Sequence, residues 1–275
     1  DDAFLRGAGE YRWQRATIGF TSNYVQQSIL SSETPGAAPD DPDLDDPSDD
    51  ITGNLIFFDQ VRTRTVFRPY MEFQLTERTG ALLETEITES TYTGPQFSSR
   101  TDYTNDELAL GLVRRVDDLT RMTARVVASK YEAVQNMNVT DSVGVEGVFS
   151  RPLSDLWTLN IAAGVLRSDF AFMDADDNLV DNADANVTFD LGFRRRTDFS
   201  RININVFREI GPSASGHLSQ QNQVRIYLER QWSDRFSAWG AVRGINTKSL
   251  DNSDRFNDRD YFRLEMGLDW HFTAR

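Results

Sequence analysis

The sequence predicts an all-β protein: a transmembrane, antiparallel up-and-down β-barrel of about twelve strands, with residues 1–275 as a single domain. Three observations carry this. Apolar residues recur with a period of two, the period of a strand between unlike media. Short and long connections alternate along the whole chain. Aromatic residues gather near both connection types, as two membrane interfaces favour. The longest apolar runs are as short as Leu55-Ile56-Phe57-Phe58, and mean hydropathy is −0.51. No stretch approaches the ~20 apolar residues of a membrane helix. A barrel needs none, because its membrane signal lies in alternation. A water-soluble β-sandwich would share the alternation but not the regular rhythm of short and long connections.

In chain order, the expected strands cover 12–27, 54–76, 80–92, 104–116, 120–132, 141–151, 156–171, 185–196, 199–210, 220–232, 235–247 and 259–273. The second contains Pro69 between Phe67 and Met71. Proline cannot donate to a ladder, so a bulge or a later strand start is expected there. The later strands show the alternation most plainly. Val187, Phe189, Leu191 and Phe193 alternate with Thr188, Asp190, Gly192 and Arg194. Ile202, Ile204 and Val206 repeat the pattern, as do Val224, Ile226 and Leu228. In the last strand Phe262, Leu264, Met266, Leu268, Trp270 and Phe272 share one face.

Tight turns are expected at Glu77–Gly80, Asp117–Thr120, Pro152–Leu156, Thr197–Phe199 and Ser233–Arg235. Between them lie the longer polar connections Ser31–Gly53, Thr93–Asn105, Ala133–Thr140, Phe172–Asp184, Ile210–Gln220 and Thr247–Asp258. In a barrel of this kind the short turns are periplasmic and the long, acidic loops extracellular. Residues 1–11 would form a periplasmic N-terminal segment and 31–53 an acidic extracellular loop. An even strand count would put both ends on the short-turn side and let the last strand close on the first. Phe73, Phe149, Trp157, Phe193, Phe199, Trp232, Phe236, Trp270 and Phe272 are assigned to the short-turn interface. Tyr24, Phe57, Tyr92, Tyr103, Tyr131, Phe170 and Phe262 are assigned to the long-loop interface.

Composition excludes several functions. With 29 Lys+Arg against 43 Asp+Glu, a net charge of −14 and a pI near 4.6, nucleic acid is a poor partner. The absence of cysteine removes disulfide scaffolds, thiolate zinc sites, iron–sulfur clusters and thiol catalysis. No cofactor is expected. The only histidines are His217, in a flexible Gly/Ser-rich segment, and His271, so an acid–base dyad is poorly supported and the protein is read as no enzyme. Asp1-Asp2-Ala3-Phe4 lacks a basic and an apolar signal region, which fits either a cytosolic chain or a mature, processed form.

If the apolar parity faces lipid, the other parity lines the lumen. Its candidates are Arg62, Arg64, Arg68, Glu72, Glu84, Glu86, Arg115, Arg125, Glu146, Asp190, Arg194, Arg201, Arg225, Glu229, Arg243, Arg263 and Glu265, with Glu107, Glu209 and Asp269 beside them. The two signs balance, so no one-signed ring advertises a preference for polyanions. Two interiors fit. Acids and arginines segregated to opposite walls would leave a hydrated channel. Paired across strands, they would fill a scaffold. Inward Tyr70, Tyr227 and Trp239 would either stack on sugar rings or pack within the lumen.

The net charge lies in two segments. Residues 31–50 carry eight acids and no base, residues 169–184 carry six and no base, and together they equal the whole excess. The acidic run Pro39–Asp50 and Asp174-Ala175-Asp176-Asp177-Asn178 would suit weak divalent-cation association. The latter lacks the glycine and glutamate of a complete calcium loop, and a solvated loop is the simpler reading.

The alternating strands, the short turns set against long acidic loops and the closing Phe262–Phe272 strand resemble those of Gram-negative outer-membrane β-barrel proteins. Asn257-Asp258-Arg259-Asp260-Tyr261 and Val148-Phe149-Ser150-Arg151-Pro152-Leu153 are similar to stretches in β-barrel porins of exopolysaccharide gene clusters. Such barrels commonly finish on an aromatic residue, whereas Thr273-Ala274-Arg275 follows Phe272 here. The resemblance implies a bacterial outer-membrane location among lipid and lipopolysaccharide. The leading expectation is a channel passing small polar solutes or saccharides through a mixed-charge lumen. The alternatives are a non-conducting structural or partner-docking barrel and, third, an outer-membrane hydrolase.

Overall fold

The computed structural model describes residues 3–28, 61–94, 101–134, 138–173, 179–212, 218–233, 235–250 and 259–270. Among these are thirteen strands: β1 (Ala3–Arg12), β2 (Ala16–Ser28), β3 (Val61–Gln74), β4 (Thr79–Thr93), β5 (Tyr103–Arg115), β6 (Arg121–Ala133), β7 (Asn138–Pro152), β8 (Trp157–Met173), β9 (Leu179–Arg196), β10 (Ser200–Pro212), β11 (Leu218–Ser233), β12 (Phe236–Ser249) and β13 (Arg259–Trp270). They form one antiparallel up-and-down sheet in chain order.

The apolar face points outward. On β13, Leu264, Met266 and Leu268 are 57%, 77% and 73% exposed. A sandwich would bury such a row, whereas a barrel in lipid must display it. Leu108, Leu110 and Leu112 on β5 and Val143 and Val145 on β7 are exposed likewise.

The tight turns, at 13–15, 75–78, 116–120, 153–156 and 197–199 and between β11 and β12, stand at one end of the sheet. Local side chains satisfy their backbone. The Asp117 carboxylate accepts from the amides of Leu119 (2.9 Å) and Thr120 (2.6 Å) and from the Thr120 hydroxyl (2.9 Å). These bonds favour its charged form and hold its pKa below the ordinary carboxylate value. The Thr197 hydroxyl accepts from the Ser200 amide at 2.9 Å. The acidic segments 31–53 and 174–178 lie outside the described residues.

The structure departs from expectation in three places. First, there are thirteen strands, because Ala3–Arg12 is a full strand paired with β2 through all ten residues rather than a separate N-terminal segment. Its turn, Trp13-Gln14-Arg15, has none of the usual turn formers and closes through Trp13 N–H to Ala16 C=O at 2.7 Å. Second, no bulge forms at Pro69. It pairs with Phe20 on β2, while the β3–β4 ladder skips Arg68 and Pro69 and resumes at Tyr70 opposite Glu84 in the same register. Third, with thirteen strands β1 and β13 run in the same direction, and no ladder joins them among the described residues.

Phe272 lies outside the described residues; the other short-turn aromatics form an outward belt. Trp157 stacks on Phe193 with centroids 4.4 Å apart, and Trp232, Phe236 and Trp270 follow one another at 5.3 and 5.5 Å. The long-loop set divides. Tyr24 and Phe262 have the outward parity. Phe57 lies outside the described residues. Tyr92, Tyr103, Tyr131 and Phe170 point inward, against expectation.

Candidate functional site

The register sets the interior. Starting from Arg125 opposite Glu146 and reading across the ladders, all seventeen predicted lumen residues fall on the face opposite the exposed leucines and valines. The sheet curls around this face, which divides along its length into a hollow and a packed half.

The hollow half lies toward the short turns and at mid-depth. A cavity of about 780 Å³ is lined from β4 round to β11, with Glu84, Arg121, Arg125, Glu146, Asp190, Arg194, Glu209 and Arg225 among its walls. On one side stand the carboxylates of β4, β5 and β7, including Glu86 directly opposite Glu107. Arg125 braces this wall: one guanidinium nitrogen donates to Glu84 at 2.7 Å, the other to Glu146 at 3.0 and 3.2 Å. Arg68 donates to Glu86 at 2.8 Å and Arg121 to Glu72 at 2.8 Å. On the other side Arg225, Arg243 and Arg263 stand opposite one another across β11, β12 and β13. Arg263 pairs with Glu265 and Arg225 donates to Gln223 at 3.2 Å. Like charges in facing register disfavour the sheet. Of this row only Arg225 lines the cavity, whose walls carry both signs, with Arg125 and Arg121 paired to the carboxylates of β3, β4 and β7.

The packed half lies at the other end. Tyr103, Tyr131, Ala133, Phe170 and Leu218 form one buried cluster, with Tyr92, Ile210 and Leu250 against it. Tyr103 and Tyr131 are each 1% exposed. Tyr92, Tyr103, Tyr131, Ala133 and Phe170 hold the inward parity, whereas Leu218 and Ile210 join the cluster from outward-parity positions near the ends of β11 and β10. Around them are buried neutral groups: Thr88, Ser90, Thr140, Ser142, Ser168, Gln221 and Gln223. The Ser142 and Ser168 hydroxyls share a hydrogen bond of 2.8 Å. Arg62, in register with Gln27 and Tyr92, is buried here rather than set on an open wall. The cluster is therefore built mainly from strand residues. Sequence reading missed it although parity pointed to it: Tyr103 shares parity with Glu107, and Tyr131 with Arg125.

The inward aromatics are taken up by neighbours. The Tyr70 hydroxyl reaches over Gly19 to donate to Glu10 at 2.5 Å. Tyr227 stacks with Trp239 at 6.5 Å, and the Trp239 indole fills the space a side chain at Gly267 would need. Both contacts are packing within the lumen. Among the described residues no cluster of His, Cys, Asp or Glu could hold a metal ion. His217, His271 and the acidic run 39–50 lie outside the described residues.

No family model matches the chain, and no curated protein does. Solved structures do. The FrpB iron transporter from Neisseria meningitidis, F5-1 variant, is matched with a TM-score of 0.53 at 9% identity over 98% of this chain and 51% of that one. Its apoprotein form gives 0.51 at 10% identity, over 99% and 49%. The alcaligin outer membrane receptor FauA from Bordetella pertussis gives 0.48 at 9% identity, over 99% and 50%. The chain thus spans about half the length of these proteins. At such identities the likeness is one of fold: that of outer-membrane β-barrels.

Proposed function

We propose that the protein is a channel of a bacterial outer membrane, set among lipid and lipopolysaccharide, that admits small polar solutes, saccharides among them, to its charged hollow half. One observation carries the reading: the cavity of about 780 Å³, walled by Glu84, Glu146, Asp190 and Glu209 together with Arg121, Arg125, Arg194 and Arg225. Its size falls within the roughly 300–1,000 Å³ of small-molecule sites. Its walls carry charge at an energetic cost that a filled scaffold could avoid with apolar side chains. The short turns face the periplasm and the long connections the exterior, as in barrels of this class. The Tyr103–Tyr131–Phe170–Leu218 cluster is the closed point of the path, because a hydrophobic constriction blocks ions by dewetting. No catalytic role is assigned.

The same cluster favours a second reading, a non-conducting barrel whose interior is permanently filled. Planar bilayers separate the two. Wild-type protein is expected to conduct rarely, and Tyr103→Ala/Tyr131→Ala/Phe170→Ala to give sustained steps. A correctly folded triple variant that stays silent would sink the channel reading and leave the scaffold.

A further inference from the structure

On the outward face, strand residues at the short-turn end carry a charge pattern unlike the rest of that face. Arg114, Arg151, Arg195 and Arg230 stand there on β5, β7, β9 and β11. Among the described residues no outward strand position at that end is acidic, and the acids nearby sit in the turns. The opposite end of the same face is mixed, with Glu89, Asp106, Glu132, Asp141, Asp169 and Asp260 among its outward residues. Two of the four arginines are held by the aromatic belt. Arg195 lies over the Trp157 ring at 5.4 Å and Arg230 over Trp232 at 5.9 Å. Trp157 is in turn stacked on Phe193, and Trp232 on Phe236. The Arg195 Nε is buried and makes no hydrogen bond within the described residues.

An indole belt sits at headgroup depth. A guanidinium lying over an indole there is kept close to the surface of the sheet, with its donors directed along the interface. Its fork matches phosphate oxygens. We infer that the short-turn rim of the lipid-facing surface binds the phosphates of anionic phospholipid headgroups, with Arg195 on Trp157 and Arg230 on Trp232 as its two built sites and Arg114 and Arg151 adding charge. This rests on the reading that the sheet spans a membrane. It adds a lipid preference confined to one leaflet, the one facing the short turns.

The test uses the folded, full-length chain in phosphatidylcholine vesicles containing phosphatidylglycerol, with one lipid or the other brominated on its acyl chains. Tryptophan quenching is expected to be stronger with brominated phosphatidylglycerol. The preference should fall with added salt, because surface charges are screened. R114Q/R151Q/R195Q/R230Q should quench equally with both lipids, and R195Q/R230Q alone should lose most of the difference, which keeps the test usable if the fourfold variant does not fold. R167Q/R208Q removes two arginines from the far end of the same face and should keep the preference. Equal quenching in the wild type, or a preference that survives in R195Q/R230Q, overturns the proposal. Failure of the wild type to insert would instead count against the membrane-spanning reading.

Discussion

The two halves of the interior are built from the same strands and the same parity, yet one is filled and the other hollow. In the packed half, strands present tyrosine, phenylalanine and neutral hydroxyl or amide groups, with Arg62 buried among them. In the hollow half the same strands present arginine and glutamate, whose charges need neighbouring charge or water to remain ionised. β5 shows the change within a single strand, from Tyr103 at one end through Glu107. β6 shows it in reverse, from Arg125 to Tyr131. Side-chain chemistry on a shared backbone parity therefore distinguishes the two halves.

The sharpest way to break this contrast is to empty the packed half. Phe170→Ala removes a buried ring from the cluster and is expected to cost about 3–5 kcal/mol, read as a shift of the urea midpoint for folding into vesicles. A shift of a few tenths of a kcal/mol would mean the cluster is loosely held. A smaller loss is expected in the hollow half. Arg125→Gln cuts the brace between Glu84 and Glu146, at about 1.5–3 kcal/mol for charged hydrogen bonds, reduced by the water its half-open position admits. It should also raise cation over anion permeability in the cluster-emptied background, as reversal potentials would report. The smallest effect lies outside both halves. Asp117 has a lowered pKa in the folded turn, so its stabilisation is complete above the ordinary carboxylate range and lost as pH falls through its folded value. Asp117→Asn should be slightly less stable at neutral pH and should approach the wild type in acid.

Much of this was legible in the residues. Period-two alternation located twelve of the strands and put Arg125, Glu146 and Arg243 on the inward face, because a one-residue slip would expose every charge to lipid. Three features escaped. β1 carries Gly7 and Gly9 where an outward strand would show large apolar groups, and its turn lacks Gly, Pro, Asn and Asp. Pro69 needed no bulge, because the ladder on one side simply omits two residues. For Tyr103, Tyr131 and Phe170 two cues disagreed. Depth near a strand end suggested an interface belt, parity suggested the lumen, and parity was the better guide. Whether opposite charges pair or segregate depends on which strands face each other across the cavity, which no single strand encodes.

The equal direction of β1 and β13 has a consequence for any seam between them. Joined directly, the two edges would form a parallel ladder in an otherwise antiparallel wall. An all-antiparallel seam requires an intervening odd number of strands, one being the minimum, since each antiparallel neighbour reverses direction. Lipid leaves no exposed edge unpaired. The count of strands in the membrane thus settles the geometry of the seam: thirteen implies a parallel join, and any even total an antiparallel one.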